Sequence, residues 1–146
     1  MNYFKAAEQD LSAVPVLKKA LTNLKRRQDR LSKSGCPPED MKIDYSKPYV
    51  DTKEVNDTLA EMISLTEVKR EIKDTESKIE EIEEVLNQLK KEHKIILVMW
   101  YIEKRGKDAI TETLNYESNK SIYNLRNRAV AEFALLYYGA GALKSI

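Results

Sequence analysis

The chain has 146 residues, 25 Lys and Arg against 24 Asp and Glu, and 34% charged residues with only 4 Gly and 4 Pro. That composition suits long solvated helices over a loop-rich β-fold, and a single Cys with a single His leaves no internal disulfide and no zinc or haem cluster. No apolar run approaches the roughly 18 residues of a membrane span and no secretion signal is read, so no membrane partner is expected and a reducing cytoplasm is the expected location.

In the first segment Leu17, Leu21, Leu24, Gln28 and Leu31 alternate steps of four and three, the spacing of a helix with one apolar seam. Pro15 fits the first turn of that helix with Asp10 or Ser12 as its cap, and Phe4, Ala7 and Leu11 fall in a short preceding helix or turn. Residues 34–50 hold one Gly and three of the four Pro, a loop long enough to reverse the chain.

The middle segment has the clearest period. Leu65, Val68, Ile72, Thr75, Ile79, Ile82, Leu86, Leu89, His93, Ile96 and Trp100 alternate three and four without a break, a coiled-coil seam. Val55, Leu59 and Met62 continue it upstream, but the step from Met62 to Leu65 is three where four is due, which predicts a stammer. Asp51 or Thr52 can cap the start. No Gly or Pro lies between Pro48 and Gly106, so one helix of about 50 residues, roughly 75 Å long, is predicted. Its seam needs a partner: the first helix in an antiparallel hairpin, or a second subunit in a homodimer. His93 within the seam is expected to be a half-buried histidine satisfied by a neighbour rather than a ligand or pH sensor.

Ile95 to Ile102 is apolar nearly all round, so here the long helix enters a core. Gly106 is expected to end it, after Lys104 and Arg105. A short helix from Asp108 to Leu114 follows, ended by Asn115. Ser118 can cap the next helix, whose inward positions are Ile122, Leu125, Ala129, Val130 and Phe133. Tyr137 and Tyr138 are expected to cap the core against the long helix, and the small-residue tail from Gly139 to dock or fray. The fold class is therefore all-α: an antiparallel long-helix hairpin over residues 1–92, leading into a helix-turn-helix module over residues 93–146.

Charge is uneven along this layout. Residues 1–34 hold eight bases and three acids (+5), residues 51–92 seven and thirteen (−6), and residues 104–128 six and three (+3). Opposite signs on the first two segments fit a basic helix lying along an acidic one. The basic third segment coincides with the predicted helix-turn-helix and with polar residues on the outer side of its second helix, and these three features together point to DNA. With Ile122 and Leu125 inward, the outward residues of the second helix are Asn119, Lys120, Tyr123 and Asn124, then Asn127. Asn can pair with adenine, Lys with guanine acceptors, and Tyr with a thymine methyl or a phosphate. Arg126 and Arg128 would reach phosphates, and Lys104, Arg105 and Lys107 would grip the other strand.

The arrangement resembles the promoter-reading helix-turn-helix of bacterial primary sigma factors, over about Ile95 to Leu135, with a turn one residue longer through Glu117. The resemblance places base readers at Asn119, Lys120, Ser121, Tyr123 and Asn124. The whole layout, with its Trp100-Tyr101-Ile102-Glu103-Lys104 entry and the stretch Ser121 to Ala134, resembles phage late-gene regulators of the RinA/ArpU type. That resemblance implies an activator acting on double-stranded promoter DNA, with host RNA polymerase as a partner. A helical protein-interaction module and a small terminase subunit binding packaging-site DNA are the alternatives. No phosphate loop or nucleophile grouping stands out, the Glu80-Glu81 and Glu83-Glu84 cluster reads as a solvated face, and neither catalysis nor a cofactor is expected.

Overall fold

In the computed structural model, which describes residues 1–33, 52–116 and 118–145, the first helix starts earlier than its seam predicts. The Asn2 side-chain oxygen accepts a hydrogen bond from the Lys5 backbone N–H at 3.2 Å, and α1 runs unbroken over Tyr3–Lys33. Pro15 is thus inside a helix rather than in its first turn, and Asp10 and Ser12 are interior residues rather than caps. A proline in mid-helix offers no N–H to the carbonyl four residues back and crowds it, at a cost of about 3 kcal/mol. The helix continues through it because Ala7, Leu11 and Val14 are each 0% exposed beside it; their burial outweighs one lost backbone bond.

The second helix, α2, spans Thr52–Gln88. Asp51 and the loop 34–50 lie outside the described residues. Every seam position from Leu65 to Leu89 is buried or half-buried. Upstream the structure departs from the expected stammer. Thr58 and Glu61 take the in-phase, half-buried positions, while Leu59 and Met62 are exposed. The helix keeps its phase and lets the apolar stripe leave the seam.

α2 also stops short of the predicted 50 residues. Lys90 adopts extended backbone (φ −57°, ψ 147°) and a new helix, α3, begins at Lys91 and runs to Leu97. Asn87, Gln88, Lys90 and Lys91 are all exposed, so their peptides can exchange helical bonds for water at little cost. The break redirects Ile96 and Leu97, both 0% exposed, into the core. A π-helical turn, Val98–Ile102, extends α3. Then α4 spans Lys107–Leu114 and α5 spans Asn119–Tyr138. A 3₁₀ turn over Ala140–Ser145 docks the tail, with Ala142 0% exposed. No strand occurs among the described residues, and none of their helices is long and apolar enough to cross a membrane.

The chain divides into two compact units, Met1–Lys18 with Lys78–Ile146, and Lys19–Ser77. The latter is the antiparallel hairpin of α1 and α2. Lys25 Nζ lies 3.3 Å from Glu76, and Leu24, Arg27 and Leu31 face Ser64, Glu67, Val68 and Glu71 across a groove. Here the basic arm does lie along the acidic one. In the other unit Ala7, Leu11 and Val14 of α1 share one core with Ile82 and Leu86 of α2, Ile96 of α3, Ile110 of α4 and Phe133 of α5. Its rim is polar. Lys18 pairs with Glu83 at 3.0 Å, and Tyr138 donates to Asp10, which pairs with Lys78 at 3.5 Å. Lys78 in turn donates to Tyr137 at 2.6 Å. Tyr137 and Tyr138 therefore cap the core against both long helices, as their position at the end of α5 predicts.

Pro15→Ala restores the bond to the Leu11 carbonyl and should stabilise the chain by about 1–3 kcal/mol in urea unfolding; an unchanged midpoint would mean that α1 relaxes elsewhere. Burial first, then the nearby Glu8 charge, holds the Tyr101 phenol above its usual 10.0. Burial, then the hydrogen bond to Asp10, raises Tyr138. Both phenols bind their protons more tightly folded than unfolded, so their contribution is complete below pH 10.0 and is lost as pH rises through and beyond it. Thermal melts should fall steeply above about pH 10, and the double variant Tyr101→Phe, Tyr138→Phe should flatten that fall.

Candidate nucleic-acid interface

Three backbone features shape the C-terminal surface. The π-helical turn uses an extra residue per turn, so the helix after α3 ends at Ile102. The Glu103 N–H donates to Val98 O and the Arg105 N–H to Met99 O, both at 2.8 Å. Lys104, not Gly106, is the residue that takes the left-handed conformation, with φ 52°. Gly106 is extended (φ −65°, ψ 156°) and precedes α4 as its N-cap. The chain between the two helices is thus a corner of four residues, and Gly106 does not end the long helix as its position in the sequence predicts.

The other two features match expectation. Asn115 closes α4 in the left-handed region (φ 58°, ψ 36°), where its short polar side chain is tolerated. The Ser118 hydroxyl then accepts from the Ser121 N–H at 3.3 Å and lies 2.9 Å from the Ser121 hydroxyl, which fixes the first turn of α5. Glu117 lies outside the described residues. The α5 stripe Ile122, Leu125, Ala129, Val130 and Phe133 is at most 2% exposed, and Ile110 of α4 is 0% exposed in the same core.

With that stripe inward, Asn119, Lys120, Asn124, Asn127 and Arg128 stand exposed along the outer side of α5, and Lys104, Arg105 and Lys107 stand exposed on the corner. Arg105 is partly neutralised by Glu103 at 2.7 Å. Ser121 is half-buried and engaged in the cap. Tyr123 and Arg126 are half-buried as well, and they turn towards Trp100 of the π-helical turn. Trp100 meets Tyr123 edge-on at 5.4 Å, and the Arg126 guanidinium lies over the Trp100 ring at 4.7 Å and the Tyr123 ring at 5.2 Å. Lys107 Nζ sits 4.6 Å from the centre of the Tyr123 ring, and the Asn127 side-chain oxygen accepts two hydrogen bonds from Arg126, at 2.8 and 3.2 Å. Stacking of cations on aromatic faces contributes about 0.5–1 kcal/mol per exposed contact. This cluster ties the basic corner to the outer side of α5.

Trp100 is the residue that sequence reasoning missed. It appears there as the last seam position and in the entry stretch Trp100 to Lys104, without a part in the interface. The available signal was the single tryptophan standing four residues before a basic corner. Trp100 also floors a cleft of about 330 Å³ lined by Lys104, Arg105, Gly106 and Lys107. Two pairs brace the start of α3 against the later helices. His93 Nδ1 meets Glu132 of α5, a partner of the kind expected for it, and Tyr116 donates to Glu92. Glu81 accepts from Tyr137 at 3.4 Å, and among the described residues no group of three or more His, Cys, Asp or Glu is placed to hold a metal ion.

Residues 48–134 match the model of a family described as Protein of unknown function (DUF1492). No curated protein and no solved structure matches the chain.

The left-handed Lys104 gives a local test. A non-glycine residue there is disfavoured by roughly 1 kcal/mol, so Lys104→Gly should raise the unfolding free energy by about that amount, less what glycine adds to the entropy of the unfolded chain. A drop in stability would show that the lysine side chain holds the corner by contact.

Proposed function

The chain belongs to the DUF1492 family, and from the outer side of α5 we propose that it is a sequence-specific DNA-binding transcriptional regulator. In this proposal α4, the turn at Asn115 and α5 act as a helix-turn-helix. The observation that carries it is the first half of α5. Its inward residues are held in the core, while Asn119, Lys120, Asn124 and Asn127 are exposed and carry the hydrogen-bonding groups that read base edges in a major groove. The exposed cations Lys104, Arg105 and Lys107 on one side and Arg128 on the other supply phosphate contacts that fix orientation without reading sequence.

Within this proposal Tyr123 and Arg126 have a different part from the other candidates. Arg126 lies over Trp100 and hydrogen-bonds Asn127, so it holds Asn127 in one orientation and offers its remaining N–H groups to a phosphate. Tyr123 bridges Trp100 and Lys107 and sets the angle of the corner against α5. The resemblance to RinA/ArpU-type regulators supports promoters of phage late genes as the target and host RNA polymerase as a second partner. No catalytic step is part of the proposal.

Binding of a promoter-derived duplex library to the full chain, followed by sequencing, should yield a motif. On the selected duplex, Lys120→Ala should cost about 1–3 kcal/mol and relax preference at one base pair. Arg128→Ala should weaken all duplexes alike and reduce the salt slope by about one unit. Enrichment of no sequence, with wild-type affinity in both variants, would remove the proposal.

A further inference from the structure

In the unit Lys19–Ser77 the pairing with α2 does not use up the positive charge of α1. From Lys19 to Lys33 the bases are Lys19, Lys25, Arg26, Arg27, Arg30 and Lys33, against one acid, Asp29. Among the described residues Lys25 alone of these bases is ion-paired, with Glu76 at 3.3 Å. Successive residues of a helix are turned by about 100°. Asn23, Arg26, Arg30 and Lys33 therefore all fall within about 40° of the direction of Lys19, and all five are exposed. Leu21, Leu24, Gln28 and Leu31 are half-buried and lie about 120–200° away, on the hairpin side. Asp29 stands about 80° to one side of the line, and Arg27, on the other, borders the groove. Four cations thus run along the outer side of the arm over about 21 Å, at 1.5 Å per residue, with Asn23 as the uncharged member.

The composition of this face selects its partner. No large apolar residue between Lys19 and Lys33 is exposed. A helix that lies in a lipid surface inserts apolar side chains beside its cations, and a protein interface has an apolar or aromatic centre. Neither is offered here. A phosphate backbone needs only cations: duplex DNA carries one negative charge per about 1.7 Å of its axis, so it meets such a line along its whole length. The guanidinium groups of Arg26 and Arg30 match phosphate oxygens two at a time. The acids of α2 lie behind the leucine seam, at least one interhelix distance of about 8–10 Å away. That is about one Debye length in physiological salt, so they leave the outer face positive. We propose that the line Lys19–Arg26–Arg30–Lys33 is a nucleic-acid surface in its own right, holding the phosphate backbone of a duplex whatever its sequence. The choice of a duplex rests on reading the chain as a DNA binder, but this surface reads no base and uses none of the residues assigned to α5.

Anisotropy titrations of the full chain over a salt series, on the duplex it selects and on a scrambled duplex, test the proposal. The quadruple variant Lys19→Gln, Arg26→Gln, Arg30→Gln, Lys33→Gln keeps good helix formers at exposed positions, and its circular dichroism should match wild type. It should bind both duplexes more weakly by the same factor, roughly 10–100-fold at low salt, and its salt slope should fall by about 2–4 units. The ratio of the two affinities should not change. Lys69→Gln, Arg70→Gln, Lys73→Gln removes three charges from α2 and should leave the slope as it is. An equal fall per charge there would mean that net charge alone acts, and would overturn the proposal. So would an unchanged slope in the quadruple variant, whether or not that variant loses binding to vesicles of phosphatidylserine and phosphatidylcholine. An unchanged slope beside an enriched motif removes this surface and leaves the reading of α5. A reduced slope with no motif does the reverse, and a wild type that binds no duplex removes both.

Discussion

The core that α1 shares with the C-terminal helices is the constraint on which the remaining structure depends. Ala7, Leu11 and Val14 come from the start of the chain, Ile82 from the middle and Phe133 from near its end, and all are 0% exposed. Each large side chain so buried contributes about 1.5–3 kcal/mol, whereas the polar fasteners around it are partly exposed and individually worth little. Lys18–Glu83, for instance, has side chains 53% and 46% exposed, in the range where ion pairs contribute about 0–1 kcal/mol. The direction of α5, and so of everything displayed on its outer side, is set by apolar burial. The tyrosine–aspartate–lysine rim adjusts it.

Two departures from regular helix then shape the display. The extended Lys90 turns α3 away from the axis of α2, and the π-helical turn at Val98–Ile102 rotates Trp100 beneath Arg126 and Tyr123. π-Helical turns are costly insertions that persist where they re-aim side chains. Here the re-aimed residue holds two cations on its own and a neighbouring ring, so Arg126 and Lys107 have already lost much of their rotamer freedom. That lost freedom lowers the entropic cost of any contact they later make.

Much of this was legible from residue spacing. The three-four seam of α2 is buried where predicted, and the cap at Ser118, the left-handed Asn115 and the inward stripe of α5 all appear, because each is a local rule with one solution. What was not legible depended on tertiary burial. Pro15 reads as a helix start until Ala7, Leu11 and Val14 are seen to be fully covered. The break at Lys90 carries no glycine or proline, and only the demand to bury Ile96 and Leu97 elsewhere explains it. The same holds at Lys104, since Gly106 is the better left-handed residue on intrinsic grounds, yet the extra residue in the π-helical turn moves the helix end upstream. The outward face of α5 was legible as a list of residues. The inward turn of Tyr123 and Arg126 required Trp100.

The contribution of Met1–Lys18 to the unit completed by Lys78–Ile146 has a consequence for how the chain is made. Synthesis releases α1 before α5, and its Ala7, Leu11 and Val14 are not fully covered until Phe133 has left the ribosome. The hairpin of Lys19–Ser77 can close in the meantime, because its pairings are nearer in sequence and cost less loop entropy. The nascent chain therefore passes through a stage in which a formed hairpin carries an open apolar ledge at the start of α1. Any helper that shields nascent chains would find its binding site there, at the opposite end of the sequence from the segment that finally covers it.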